Sequence, residues 1–128
     1  RIGFFGIGGA KLDPTVEAFL SKAGFPYAIG YGLTETAPLI CAASPHKTKV
    51  GSTGKPVPDI PVRLDNVNPE TGEGELVVKG PNVMLGYYKD YERTLSVLRL
   101  DGWFHTGDLG YIDDEGFCHI TYSMGDNL

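Results

Sequence analysis

A strand, a helix and a second strand follow one another within the first thirty residues, and this unit constrains the fold more than any other feature. The apolar run 2–7 is cut off by Gly8-Gly9, the pattern of a buried strand in a parallel sheet. Asp13 ahead of Pro14 forms an N-cap with proline at the first helical position. Val16, Phe19, Leu20 and Ala23 recur at helical spacing until Gly24, and residues 25–29 read as a second strand. A βαβ unit gathers ligands at the carboxyl ends of its strands, which here means the loop 30–38.

Beyond residue 38 the pattern changes to short strands at 39–43, 62–64, 75–78, 103–106, 109–112 and 117–121, with one short helix at 91–100. Asp113-Asp114-Glu115-Gly116 joins the last two as a hairpin turn. The expected fold class is α/β plus β. Residues 1–43 would end an α/β subdomain, and residues 44–128 would form a small twisted, barrel-like β subdomain. Glycine supports a loop-rich chain: 18 of 128 residues, twice the usual share of about 7%.

Several classes are excluded. The net charge is −5 with no basic cluster, so nucleic acid is not an expected partner. Cys41 and Cys118 are the only cysteines, without metal-site spacing, and read as two buried thiols. No run approaches the roughly 20 apolar residues of a membrane span, and no signal peptide is expected. The chain opens on a strand without an initiator methionine, and it reads as part of a longer cytoplasmic protein.

Three stretches carry candidate chemistry. In Tyr31-Gly32-Leu33-Thr34-Glu35-Thr36, backbone amides and threonine hydroxyls can meet phosphate oxygens, and Glu35 can hold a hard cation such as Mg²⁺. Tyr31 offers a ring face to a flat heterocycle. The competing reading makes Thr34 and Thr36 helix caps. In Gly102-Trp103-Phe104-His105-Thr106-Gly107-Asp108, Asp108 can accept both hydrogen bonds of a ribose diol, or can simply bond its own turn. His105 has no neighbouring carboxylate in sequence and reads as a core histidine. Gly8-Gly9-Ala10 would let a base or sugar lie against the backbone, or would serve only as a tight connection. Residues 81–88 carry no catalytic side chain, and Tyr87 and Tyr88 read as core filling.

The order of these stretches, together with Gly51-Ser52-Thr53-Gly54-Lys55-Pro56 and Gly74-Glu75-Leu76-Val77-Val78-Lys79-Gly80, resembles the adenylate-forming superfamily. Pro81-Asn82-Val83-Met84-Leu85-Gly86-Tyr87-Tyr88-Lys89 is most similar to the long-chain fatty acyl-CoA synthetases. The resemblance implies a piece of the large N-terminal domain of a ligase that is inactive by itself. With ATP and Mg²⁺ the whole enzyme would form acyl-AMP from a fatty acid, and with coenzyme A it would form acyl-CoA. Thr34 and Glu35 would be catalytic, Thr34 on a phosphate oxygen and Glu35 on Mg²⁺. Gly9, Ala10 and Lys11 would run past the adenine. Gly30, Tyr31, Gly32, Leu33 and Thr34 would continue the nucleotide wall, with Tyr31 stacked on adenine and Gly30 and Gly32 bordering the acyl tunnel. Asp108 would hold the ribose hydroxyls. A fatty-acid substrate also leaves open a peripheral contact with the inner face of a membrane.

The chain departs from the family where a hinge to a C-terminal lid is expected. Ser123 stands in place of an arginine and Gly125 in place of a lysine or aspartate. A serine cannot make a charged bidentate contact. Two other readings follow: a non-catalytic scaffold of the same fold, or a sibling aryl-CoA ligase or peptide-synthetase adenylation domain.

Overall fold

The computed structural model describes residues 3–9 and 11–123. Asp13 starts the first helix as its chemistry requires, accepting the N–H groups of Thr15 at 2.8 Å and Val16 at 3.2 Å. That helix, α1 (Pro14–Lys22), links β1 (Phe5–Ile7) to β2 (Tyr27–Gly32), and the two strands pair in parallel. The sequence pattern and the structure agree on this βαβ unit. β3 (Leu39–Ala43) pairs antiparallel with β2, and β4 (Lys55–Pro56) completes a sheet of order β1-β2-β3-β4. The first sheet therefore takes in chain on both sides of residue 43.

The helix faces a different way from its apolar stripe. Val16 and Phe19 are 48% and 69% exposed, while Glu17 is the buried residue of α1. Its carboxylate accepts the Tyr27 hydroxyl at 3.0 Å and the Gly51 N–H at 2.9 Å, so the burial leaves no oxygen unpaired. Helix, second strand and the loop after β3 are tied together by that one carboxylate.

The second sheet runs β5 (Val62–Asp65), β6 (Gly74–Val78), β7 (Phe104–Ile112) and β8 (Cys118–Ser123), all antiparallel and in that order. Among the described residues it is an open sheet, and the barrel-like closure expected from the sequence does not occur. Four strands are too few: small barrels close with about eight. The second correction concerns residues 103–112, expected as two strands and found as one. The strand runs on through Gly107 and Asp108: the β6 ladder skips from His105 to Leu109 with a register shift between Glu75 and Val77, while Asp108 pairs with Ser123 on β8. The short helix is also trimmed, to α2 (Tyr91–Val97). The hairpin turn at 113–116 is as expected, with the Gly116 N–H bonded to the Asp113 carbonyl at 2.9 Å.

The two sheets share one core. Leu33 just beyond β2, with Ile40 and Cys41 from the first, packs with Val78, Phe104 and Cys118 from the second. Between them, the Thr53 N–H donates to the Cys118 carbonyl and the Cys118 N–H to the Gly54 carbonyl, both at 2.8 Å. Among the described residues no helix is long and apolar enough to cross a membrane.

Close approach makes one glycine irreplaceable in the second sheet. A Cβ at Gly110 would sit 2.2 Å from the backbone oxygen of His119 on β8. Gly110→Ala is expected to destabilise the protein by about 3 kcal/mol, the range of severe overpacking. Urea unfolding measures it, and a loss below about 1 kcal/mol would contradict the close pairing of β7 with β8 at that point.

Candidate functional site

The end of β2 delivers the first group of candidate residues. A Cβ at Gly8 would lie 3.7 Å from the Gly30 carbonyl, so the glycine turn after β1 runs beside β2. Gly9 occupies that turn in the left-handed region (φ +80°) and is exposed. Ala10 lies outside the described residues. Lys11 is exposed and donates to the Ile120 carbonyl of β8 at 3.4 Å, a link from the first unit to the second sheet.

Gly32 is where the strand ends. A Cβ there would fall 1.6 Å from the Pro38 carbonyl oxygen, so no other residue fits. The same carbonyl accepts the N–H of Leu33, which is buried in the shared core, at 2.9 Å. What this glycine makes room for, within the described chain, is its own backbone. Gly30 is less constrained, with its nearest neighbour the tip of the Leu39 side chain.

The threonines divide their labour. Thr36 is buried. Its hydroxyl accepts the Leu33 N–H at 3.0 Å and lies 2.6 Å from the Pro38 carbonyl, which closes the 3₁₀ turn Thr34–Thr36. Thr34 is exposed, and among the described residues its hydroxyl has no hydrogen-bond partner. The capping reading thus holds for Thr36 and leaves Thr34 free on the rim. Glu35, between them, is half-buried and turned toward the chain segment after β6.

That segment is what the sequence reading missed. The Tyr87 hydroxyl donates to Glu35 Oε1 at 2.8 Å, and the Met84 N–H donates to the Glu35 carbonyl at 2.8 Å. Asn82 Nδ2 donates to the carbonyls of Thr36 at 2.8 Å and Leu39 at 3.2 Å. Burial and the Glu35 carboxylate raise the Tyr87 phenol above its ordinary range. Tyr87 fixes one oxygen of Glu35 and leaves the other for a further partner. The signal was the tyrosine pair after Gly86, whose members differ: Tyr88 is 88% exposed, whereas Tyr87 points back to the turn.

Asp108 lies on β7 and is only 2% exposed. Its carboxylate receives the hydroxyl of Tyr31 on Oδ2 and the hydroxyl of Ser123 on Oδ1. Its N–H donates to Thr106 Oγ1 at 3.0 Å, and Thr106 in turn donates to the Leu76 carbonyl at 2.8 Å. Burial, then the facing carboxylate, push the Tyr31 phenol far above its ordinary value and keep it a donor. Tyr31 and Asp108 stand 77 residues apart and on different sheets, yet they meet. Ser123, at the position where the resemblance expects arginine, joins them; Gly125 lies outside the described residues.

His105 is corrected by the structure. Its Nδ1 meets Glu75 Oε2 at 2.9 Å, and Arg99 Nε donates to its Nε2 at 3.3 Å. Glu75 also accepts the Gly107 N–H at 3.1 Å. Two cavities of about 630 and 430 Å³ lie away from the Tyr31–Asp108 pair. The larger is lined by the Arg63–Asp65 ion pair and His105, a balanced set of charges.

Comparison with known proteins decides the family. A model described as "AMP-binding enzyme" matches residues 1–88. The chain belongs to the AMP-binding enzyme family. This AMP-binding chain is 48% identical over 124 residues to the 2-succinylbenzoate–CoA ligase of Bacillus cytotoxicus, a match covering 93% of the chain and 25% of that relative. It thus spans about a quarter of the length of the curated relatives it matches. Its fold is that of a double mutant of the o-succinylbenzoate CoA synthetase from Bacillus subtilis bound with a product analogue. That likeness has TM-score 0.86 and 34% identity, over 98% of this chain and 26% of that one. The same enzyme in complex with ATP and magnesium ion gives TM-score 0.76 and 33% identity, over 91% and 26%.

These relatives overturn the expectation of a long-chain fatty acyl-CoA synthetase. Within the stretch that suggested it, residues 81–89, Asn82, Met84 and Tyr87 bond the 34–36 turn. The peripheral membrane contact expected with a fatty acid loses its basis along with it.

Removing the Tyr31 hydroxyl would leave a nearly buried carboxylate short of a donor. Tyr31→Phe is expected to cost about 1–3 kcal/mol of stability in the absence of any ligand. An unchanged urea midpoint would show that the contact is not made in solution.

Proposed function

We propose that this chain is part of an AMP-forming acid–CoA ligase acting on an aromatic carboxylate of the 2-succinylbenzoate type. The observation that carries the proposal is the meeting of Tyr31 and Asp108, which draws the 31–36 and 102–108 motifs of two sheets into one place. The 2-succinylbenzoate–CoA ligases among the relatives support the substrate class. The whole protein would join a carboxylate oxygen of the acid to the α-phosphorus of ATP, expelling pyrophosphate. The coenzyme A thiol would then displace AMP from the acyl carbon.

Within that reaction the residues of this chain have separate tasks. Tyr31, Gly9, Ala10, Lys11, Gly30, Gly32 and Leu33 would form the wall against the adenine, Asp108 would take the ribose hydroxyls, and Thr34 would reach a phosphate oxygen. For Asp108 to do so, the diol must share or replace the hydroxyls of Tyr31 and Ser123. Glu35 suits a magnesium site: a hard carboxylate with Oε1 held by Tyr87 and Oε2 open. Among the described residues no cluster of three metal-ligating side chains exists, which fits Mg²⁺, an ion that keeps water and substrate phosphates in its shell. When bound, Mg²⁺ neutralises phosphate charge during transfer. Tyr87 and Met84 would keep the Glu35 carboxylate aimed, so that little reorganisation is needed as charge develops. An α/β part that extends past residue 43 to take in β4, and a β part ending near the hinge to a lid, would suit this reading, as would a cytoplasmic location. The 128 residues alone would be inactive.

A second reading has an observation of its own. Ser123 supplies a neutral hydroxyl to Asp108 where the resemblance expects a charged arginine. A scaffold that binds AMP without turning over would tolerate that exchange.

Acid-dependent exchange of pyrophosphate into ATP, measured on the intact protein, separates these readings. 2-Succinylbenzoate is expected to drive exchange and long-chain fatty acids to leave it at background. AMP binding with no exchange for any acid would favour the scaffold. In an active protein Glu35→Gln should lower kcat for adenylation by about 100-fold or more. Full activity in that variant would remove Glu35 from the metal site.

A further inference from the structure

The two cysteines of this chain come from different sheets and meet sulfur to sulfur. Cys41 lies on β3 and Cys118 on β8; both are fully buried, and their Sγ atoms are 3.3 Å apart. Each backbone is fixed. Cys41 pairs with Tyr31 on one side and Pro56 on the other, and Cys118 is bonded through both its N–H and its carbonyl to residues 53–54. The gap exceeds the length of a disulfide bond by about 1.2 Å. Among the described residues no further metal-ligating group stands with them, so the pair is not part of a metal site.

We propose that Cys41 and Cys118 form a redox-responsive pair, which hydrogen peroxide closes into a disulfide joining the first sheet to the second. The Cys118 sulfur attacks one peroxide oxygen, the O–O bond breaks, and Cys118 sulfenic acid and water result. The Cys41 sulfur then attacks the sulfenic sulfur. The S–S bond forms, the S–O bond breaks, and the hydroxyl leaves as a second water with the Cys41 proton. Both thiols are oxidised by one peroxide, which is reduced to two waters. Peroxide is close to water in size and suits a buried pair that larger disulfide reagents would not reach.

The direction of attack follows from the hydrogen bond between the sulfurs. Cys41 donates to Cys118, which raises the Cys41 thiol and lowers that of Cys118. Cys118 is thereby the readier nucleophile. Closure would act on the neighbouring site, because Cys41 is the cross-strand partner of Tyr31. This inference does not depend on the acid the protein activates, or on whether it turns over.

The test treats the intact protein with hydrogen peroxide, blocks remaining thiols with an alkylating agent, and maps peptides without reduction. A peptide containing residue 41 linked to one containing residue 118, two hydrogens lighter than the sum and separated by dithiothreitol, is expected. Tm should rise by about 5 °C in the oxidised protein, and the rise should be absent in Cys41→Ala. The peptide map on the unaltered sequence stands even if that variant fails to fold. Recovery of both cysteines alkylated after unfolding, or as separate sulfinic acids, would overturn the proposal.

Discussion

A nearly buried carboxylate left without hydrogen-bond donors is costly, and Asp108 receives its donors from two other strands. The Tyr31 hydroxyl comes from the first sheet and the Ser123 hydroxyl from the neighbouring strand of the second. Neither donor brings a charge, so the carboxylate is held by hydrogen bonds and not by an ion pair. The position of the first sheet against the second is therefore fixed by a polar contact at the edge of an apolar core. The core of Leu33, Ile40, Val78 and Phe104 supplies the driving force, and the Tyr31–Asp108 contact supplies the register.

The turn after β2 is built on the same principle, with backbone groups in place of charge. Thr36 satisfies the Leu33 N–H from inside, and Asn82 satisfies the Thr36 and Leu39 carbonyls from outside. Glu35 is held at both ends, its carbonyl by Met84 and its carboxylate by Tyr87. A loop so thoroughly bonded moves little, and a rigid loop is what positioning a phosphate or a cation demands. Thr34 stays exposed beside it, its hydroxyl without a hydrogen-bond partner among the described residues.

Local chemistry is legible in the sequence, and long-range pairing is not. Asp13-Pro14 and Gly24 bound α1 because capping depends on neighbours two or three residues away. The Asp113–Gly116 turn is readable for the same reason. Glu17 is not: its partners Tyr27 and Gly51 lie 10 and 34 residues on, and helical periodicity alone points to Val16 and Phe19 as the inner face. Tyr87 and Glu35 are 52 residues apart, and His105 and Glu75 are 30 apart, so no local pattern announces either pair. The Gly107-Asp108 pair reads locally as a turn, yet the strand runs on past it, with Asp108 paired to Ser123 on β8 and Leu109 to Glu75 on β6. The substrate escapes the sequence for a related reason. Residues 81–89 resemble a mark of the acid, whereas Asn82, Met84 and Tyr87 among them bond the 34–36 turn.

The claim that Tyr31 and Asp108 act as one unit in a nucleotide wall is tested most directly by a double-mutant cycle on AMP binding to the intact protein. Calorimetric titration of Tyr31→Phe, Asp108→Asn and the double variant gives the coupling. If the two groups work together, the double variant loses no more affinity than the worse single one. Losses that add to within about 0.5 kcal/mol would mean independent sites, and the two residues would form no common wall.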